Sequence, residues 1–407
     1  MHSLSRIDFA RRERPVPGLT GMLALITSLL GAPLSDLATD EAEKKTLKPC
    51  SQKKAPDWRI KAASELPDDP SLPGLVVLRA ASLAGAVQAM EHGARPPIEL
   101  LLRGFTMGSR ATLEARAGHR RVAVKAYAED PAAEAALYAA LAAAGLASHS
   151  GARVPPLLAW ERDLRLLVIG WLDGPTAEQL IEDGRGERAG EMAARWLQRI
   201  ASLRLKLGPP FGAPRMLQRA RKWAGALESA DPGLGSVAMT LLGTLARTQP
   251  KEGTPHLVHG TLYARHVLDL GDGPGVIDWQ RFGQGPLELD AGMFLATVWR
   301  IGMLHEPLTR DAARAEKAFL KGIAGLVDER ALAWHQAAAL LRLANNAIKL
   351  VRRQGDWAER AGKLLGQGTR VAQGEERAAV GPRRTSPDRR AVPGCRGRIR
   401  QPQRSLG

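Results

Sequence analysis

The chain has 407 residues, 44% of them hydrophobic and 25% charged, enough to fill two ordinary cores or one two-lobed unit with extensions. Only 4% are aromatic, which argues against a surface built to stack single-stranded bases, and two distant cysteines, Cys50 and Cys395, imply no disulfide framework and a reducing cytoplasm. The formal net charge is +16, yet from Arg377 to Gly407 nine arginines face one acid, Asp388, so +8 of it sits in the tail and the rest of the chain is only moderately basic. A tail so rich in Gly, Pro and Ser is expected to be disordered and able to touch an anionic surface, rather than to bind nucleic acid specifically.

Residues 1–16 are polar and Arg-rich, and Gly18 to Pro33 form an apolar run too short to span a bilayer, which needs about 20 residues. Leu19, Met22, Leu23, Ile26, Leu29 and Leu30 share one helical face, which predicts an amphipathic helix docked on the body. No small-x-small cleavage site follows cleanly, so a signal peptide is not supported. Lys44 to Lys61 reads as a linker, and after Pro67, Pro70 and Pro73 a domain is expected to start near Gly74.

Ile98 to Leu102 and Ala111 to Ala115 read as paired strands joined by a loop, Arg103 to Ser109, that carries Gly104 and Gly108. In Arg120 to Tyr127 the residues Val122, Val124 and Ala126 alternate with Lys125, which therefore faces away from the apolar side. Asp130-Pro131 then opens an alanine-rich helix, Ala132 to Leu141, that carries one acid, Glu134. Arg153 to Trp160 and Leu164 to Ile169 read as two further strands, ended by a turn from Gly170 to Gly174 that includes Trp171. Beyond Ala177 the spacing is helical: Ala189 to Leu207, Leu217 to Ser229, Ser236 to Thr248, then Gly292 to Met303, Thr309 to Leu326, Arg330 to Arg352 and Trp357 to Leu365.

Between the two helical sets lies LVHGTLYARHVLDLGDGPGVIDWQRFGQGPLELD, Leu257 to Asp290. Two short strands, Val267 to Leu270 and Gly275 to Ile277, flank a turn-rich segment and deliver Asp278 to the exit of a hairpin. A polar loop beside a strand-end carboxylate suits metal-assisted phosphoryl transfer. Asp290 in LELDAG also reads as a helix N-cap. The histidines show no zinc spacing, and no Gly-x-Ser-x-Gly element supports an acyl hydrolase.

On these residues the segment resembles the catalytic centre of the aminoglycoside phosphotransferase and choline kinase group, whose loop reads HGDxHxxN before an IDW or IDF carboxylate. His259, Gly260, Ile277, Asp278 and Trp279 match. Thr261 stands where the group has its catalytic Asp, Tyr263 where it has a second His, and His266 where it has a metal-binding Asn. Lipopolysaccharide sugar kinases, a related branch, carry Tyr and His at those last two places.

The resemblance implies an α+β, two-lobed protein-kinase-like fold, with a small antiparallel-sheet N-lobe at 74–172 and a larger helical C-lobe at 173–372. Residues 1–73 and 373–407 would be extension and tail. It implies ATP and magnesium, or manganese given a nitrogen donor, with Lys125, Glu134, Gly104, Gly108, Ile169 and Trp171 toward the nucleotide. Asp278 and His266 would hold the metal, Thr261, His259 and Tyr263 would form the catalytic loop, and Asp290 would brace it. The implied activity is phosphoryl transfer to a hydroxyl of a small molecule or sugar, and the alternative is a nucleotide-binding pseudokinase. Asp269 or Glu288 would be carboxylates able to stand in for the one missing at Thr261.

Overall fold

The computed structural model describes residues 66–80, 98–251, 253–348 and 356–374. The apolar run at 18–33, both cysteines and the basic tail lie outside the described residues. Five antiparallel strands form one sheet in the order β1-β2-β3-β5-β4: β1 Glu99–Thr106, β2 Arg110–Ala117, β3 Arg120–Tyr127, β4 Leu157–Glu161 and β5 Leu166–Gly170. Helix α1, Ala132–Leu141, crosses between β3 and β4, and the rest of the chain is mainly helical. The expected α+β division into a small antiparallel-sheet lobe and a larger helical lobe is therefore found.

Two strand boundaries differ from expectation. The loop expected at Arg103 to Ser109 shrinks to 107–109, because β1 continues through a register shift between Leu102 and Gly104 and keeps its pairing to Thr106. Gly104 thus lies within a strand. The strand expected from Arg153 starts only at Leu157, since Pro155 and Pro156 have no N–H to give a ladder, and Arg153 makes a single bridge to Gly275.

One face of the sheet carries Leu113, Val122, Val124, Ala126 and Val168, which pack on Leu66, Leu72, Leu75 and Leu78. That upstream stretch joins the core before the boundary expected at Gly74. From the opposite face, Ala123, Leu167 and Ile169 continue into a second core shared with α1 and the helical lobe. This shared core explains why β3 is buried on both sides and why Lys125 is only 4% exposed.

In the helical lobe the elements are α2 Ala177–Glu182, α3 Gly186–Ala201, α4 Ala213–Ala230, α5 Pro232–Arg247, α6 Leu287–Leu304, α7 Thr309–Gly322, α8 Glu329–Ala347 and α9 Trp357–Gln373. Helices α3 and α7 pack so closely that a Cβ on Gly190 would lie 2.1 Å from the Ala315 carbonyl oxygen. Between the two helical sets run β6 His256–Val258, paired with β9 Gly283–Gly285, and the hairpin β7 Val267–Asp269 with β8 Pro274–Val276. The buried edge contact of Trp279 on Trp196, 5.8 Å between ring centroids, fixes this hairpin on α3.

His335 on α8 is 1% exposed, and neither ring nitrogen has a hydrogen-bond partner. Burial pushes its pKa down to about 3. The folded ring stays neutral while the unfolded one protonates near 6.5, so its stability contribution is intact above that pH and is lost as pH falls toward 3. His335→Leu is expected to raise stability at pH 5, relative to its effect at pH 7.5, by about 2 kcal/mol. Chemical denaturation at both pH values checks it, and equal effects at the two would contradict it.

Candidate active site

The loop after β6 is shaped by a carboxylate reached from far along the chain. Asp290 lies in the first turn of α6, which starts at Leu287 after Pro286, so it is inside the helix rather than the N-cap that its sequence context also suggested. Its side chain accepts from the amides of His259 (2.6 Å) and Gly260 (2.8 Å). Burial pushes its pKa up to about 7, against the lowering pull of those amides. Gly260 sits at φ +74°, where a Cβ would lie 2.2 Å from the Arg281 carbonyl oxygen, so the tight return needs glycine.

His259 is fully buried, and burial lowers its pKa to about 4, so the ring is neutral. Its Nε2 lies 2.9 Å from the Ile277 carbonyl and therefore carries the hydrogen, which leaves Nδ1 to accept from the Thr261 hydroxyl at 3.2 Å. His266 has the opposite tautomer. Its Nδ1 donates to the Thr261 carbonyl at 2.9 Å, and its Nε2 lone pair faces Asp278 Oδ2 at 3.5 Å. Burial holds this ring neutral too, with a pKa of about 3. Tyr263 packs on His266 with ring centroids 5.1 Å apart.

Asp278 leaves β8 with φ +68°, a left-handed conformation that Asp tolerates better than most residues and that turns the carboxylate toward the sheet lobe. There Lys125 Nζ approaches Oδ1 at 3.7 Å and Arg110 at 3.3 Å. Burial alone would push this carboxyl upward, but Lys125 and Arg110 outweigh it and hold the pKa far below the usual range. Lys125 also donates to Glu134 at 2.8 Å, and Tyr127 donates its hydroxyl to the other Glu134 oxygen at 2.7 Å. Asp130 accepts from the amide of Ala132 and so fixes the helix start that aims Glu134 at β3.

The structure thus brings Lys125, Glu134, Asp278, His266, Thr261, His259, Tyr263 and Asp290 into one region. Ile169 lies in the buried core of β5, and Trp171 beyond it packs under Arg121 and Arg103, with the guanidinium carbons 5.2 and 6.0 Å from the ring centroid. Gly104 lies within β1, and the Gly108 amide at the hairpin tip donates to Asp69 at 2.7 Å. Asp269 and Glu288 are engaged elsewhere. Asp269 takes two bonds from Arg188, and Glu288 accepts from the Asp328 amide, so neither replaces a base at Thr261. Among the described residues no cluster of three or more metal-ligating side chains forms.

Arg110 was not anticipated, although a signal existed. It stands two residues before Thr112, which pairs with Lys125 across the ladder, so period two puts Arg110 and Lys125 on one face. Arg342 was missed too. It donates to the Gly260 carbonyl at 3.2 Å from α8, and no local pattern announces so distant a contact.

Among solved structures, a choline/ethanolamine kinase family protein from Mesorhizobium loti is 16% identical, covering 74% of this chain and 96% of that one, with a TM-score of 0.47. An aminoglycoside-3'-phosphotransferase of type VIII is 21% identical over 62% of this chain and 96% of that one, with a TM-score of 0.43. A thermostable aminoglycoside phosphotransferase mutant in ternary complex with AMP-PNP and hygromycin B is 16% identical over 71% of this chain and 99% of that one, with a TM-score of 0.49. No curated protein matches significantly in sequence. A family model described as the phosphotransferase enzyme family matches residues 112–326, from β2 through the histidine loop and hairpin to the end of α7 and just beyond. With that match spanning more than half of its length, the chain belongs to the phosphotransferase enzyme family.

Proposed function

We propose that the protein is an ATP-dependent phosphotransferase acting on a hydroxyl of a small molecule or sugar in the cytoplasm, with the nucleotide in the cleft between residues 74–172 and 173–372. The observation that carries this reading is that Lys125, on a strand, lies within salt-bridge distance of both Glu134, on a helix, and Asp278, at a hairpin exit. A lysine held by a helix acid beside a strand-end carboxylate is what nucleotide phosphates and their cation require. Ile169 and Trp171 would border the adenine. Gly104 and Gly108 would cover the phosphates, which for Gly108 means exchanging Asp69 for a phosphate oxygen.

The donors present fit a divalent cation. The His266 Nε2 lone pair and an Asp278 oxygen face each other with no proton to share, and a cation held by both would relieve that repulsion. Magnesium prefers oxygen, whereas manganese accepts the mixed pair. Such an ion would neutralise phosphate charge. Arg110 and Lys125 would turn from Asp278 to phosphate oxygens. Thr261, whose proton goes to His259, keeps lone pairs that accept from an acceptor hydroxyl and orient it, but it does not take the proton near neutral pH. The second reading, a nucleotide-binding pseudokinase, is favoured by that absent base.

ATP with magnesium or manganese is expected to raise the melting temperature, corresponding to about 2.7 kcal/mol at a hundredfold excess over the dissociation constant. A thermal melt measures this. No shift with any nucleotide and either metal would overturn both readings.

Thr261→Asp is expected to raise turnover toward the lower end of the roughly 10²- to 10⁴-fold range of general-base catalysis. The gain is held down because the new carboxylate would face the His259 Nδ1 lone pair. ATP turnover in wild type that vanishes in Asp278→Ala supports the enzyme. Nucleotide binding without turnover in wild type and Thr261→Asp alike supports the pseudokinase.

A further inference from the structure

Beside Asp278 a cavity of about 350 Å³, lined by Arg110 but not by Lys125, opens between the catalytic loop, α6, α8 and α9. That volume suits a monosaccharide-sized ligand. Its charged lining consists of Arg110, Arg265, Arg281, Arg300, Arg342 and Arg360 against one carboxylate, Asp278. Arg110 meets Asp278, and Arg360 meets Asp356. Among the described residues no ion pair joins an acid to Arg265, Arg281, Arg300 or Arg342.

Two buried donors in the lining, Arg300 Nε and Gln280 Nε2, have no acceptor. A buried donor without an acceptor is disfavoured, so an acceptor brought in beside these two would be stabilising. The guanidinium groups also oppose one another. Burial first, then Arg281, Arg342 and Arg215, lower the pKa of neighbouring Arg219 to about 10, and burial with Arg281 and Arg265 lowers that of Arg342. On the same helices as Arg300 and Arg342, Leu304, Leu343 and Ala347 add apolar lining for the carbon face of a ring.

An amino sugar or amino alcohol would bring positive charge into this set and meet repulsion. We infer that the acceptor bound in this cavity is an anionic hydroxyl compound, a phosphate- or carboxylate-bearing sugar. Its anion sits on Arg265, Arg281 and Arg300, where guanidinium forks match the planar spacing of such oxygens. Its free hydroxyl points toward Thr261 and Asp278, which border the same cavity. The inference rests on the phosphotransferase reading for the word acceptor, but the binding it requires does not depend on nucleotide.

The test is calorimetric titration of the full chain, without nucleotide, with glucose 6-phosphate, glucuronate, glucose and glucosamine, which share one ring and differ in charge. The expected result is at least tenfold tighter binding of one or both anions than of glucose or glucosamine. The preferred anion tells phosphate from carboxylate. Arg265→Glu and Arg281→Glu, both at exposed positions, should each weaken that binding tenfold or more while the ligand-free melt does not fall below that of wild type. Glucose or glucosamine binding as tightly as both anions overturns the inference, as does anion binding unchanged in both variants or the absence of anion binding. Should ATP fail to shift the melt while the anion result holds, the phosphotransferase reading falls and the anionic cavity stands.

Discussion

Asp278 carries a negative charge into a place where two cations from the sheet lobe, Lys125 and Arg110, reach it from 3.7 and 3.3 Å. Its left-handed backbone is what aims it there, and the hairpin that bears it is held by Trp279 against Trp196. Remove that charge and Lys125 keeps Glu134, but Arg110 loses its partner and the Arg153–Asp272 pair at the far end of the hairpin is left as the ionic tie between it and the sheet lobe among the described residues. Arg110 in particular has its ion pair across the cleft and none within its own lobe among the described residues. The site is thus assembled by attraction between lobes as well as by the core they share, and ligands that compete for those cations compete with Asp278.

The histidine loop holds a defined shape with a threonine, not a carboxylate, at position 261. Asp290 grips two amides, His259 turns its Nε2 hydrogen to Ile277, and the hydroxyl of Thr261 completes the remaining valence of the imidazole. Threonine supplies what the neighbouring ring needs, a donor, so geometry survives while basicity does not. Shape and chemistry are separable here because the bonds that fix the loop use backbone groups and neutral rings.

Much of this site was legible in the chain because its parts are local. The hairpin before Asp278 is written in its turn residues, and Lys125 with Glu134 in a strand, a cap and a helix that follow one another. The arginine-lined cavity was not legible. Its walls come from positions as separate as Arg110, Arg300 and Arg342, and in a chain with 58 Lys and Arg a single arginine on a helix carries no local mark of its destination. The extended β1 escaped for a different reason: Gly104 reads as a loop residue, yet the irregularity falls on Arg103, and Gly104 pairs with Thr112 so that the ladder continues. Asp290 was ambiguous because its role depends on where α6 begins, and Pro286 rather than Asp290 ends the preceding strand conformation.

The bond from the Gly108 amide to Asp69 ties the tip of the β1–β2 hairpin to a segment that precedes the sheet. Leu66, Leu72, Leu75 and Leu78 anchor that segment on the sheet's outer face, so the tether has a fixed end. Asp69 also accepts from the Ser71 amide, which holds its side chain at the right height. The hairpin is therefore a cantilever with a guy-line: it can flex toward the cleft only as far as the upstream segment yields or the bond breaks. A chain trimmed to begin at the sheet would keep every strand and still lose the stay that sets the resting angle of its tip.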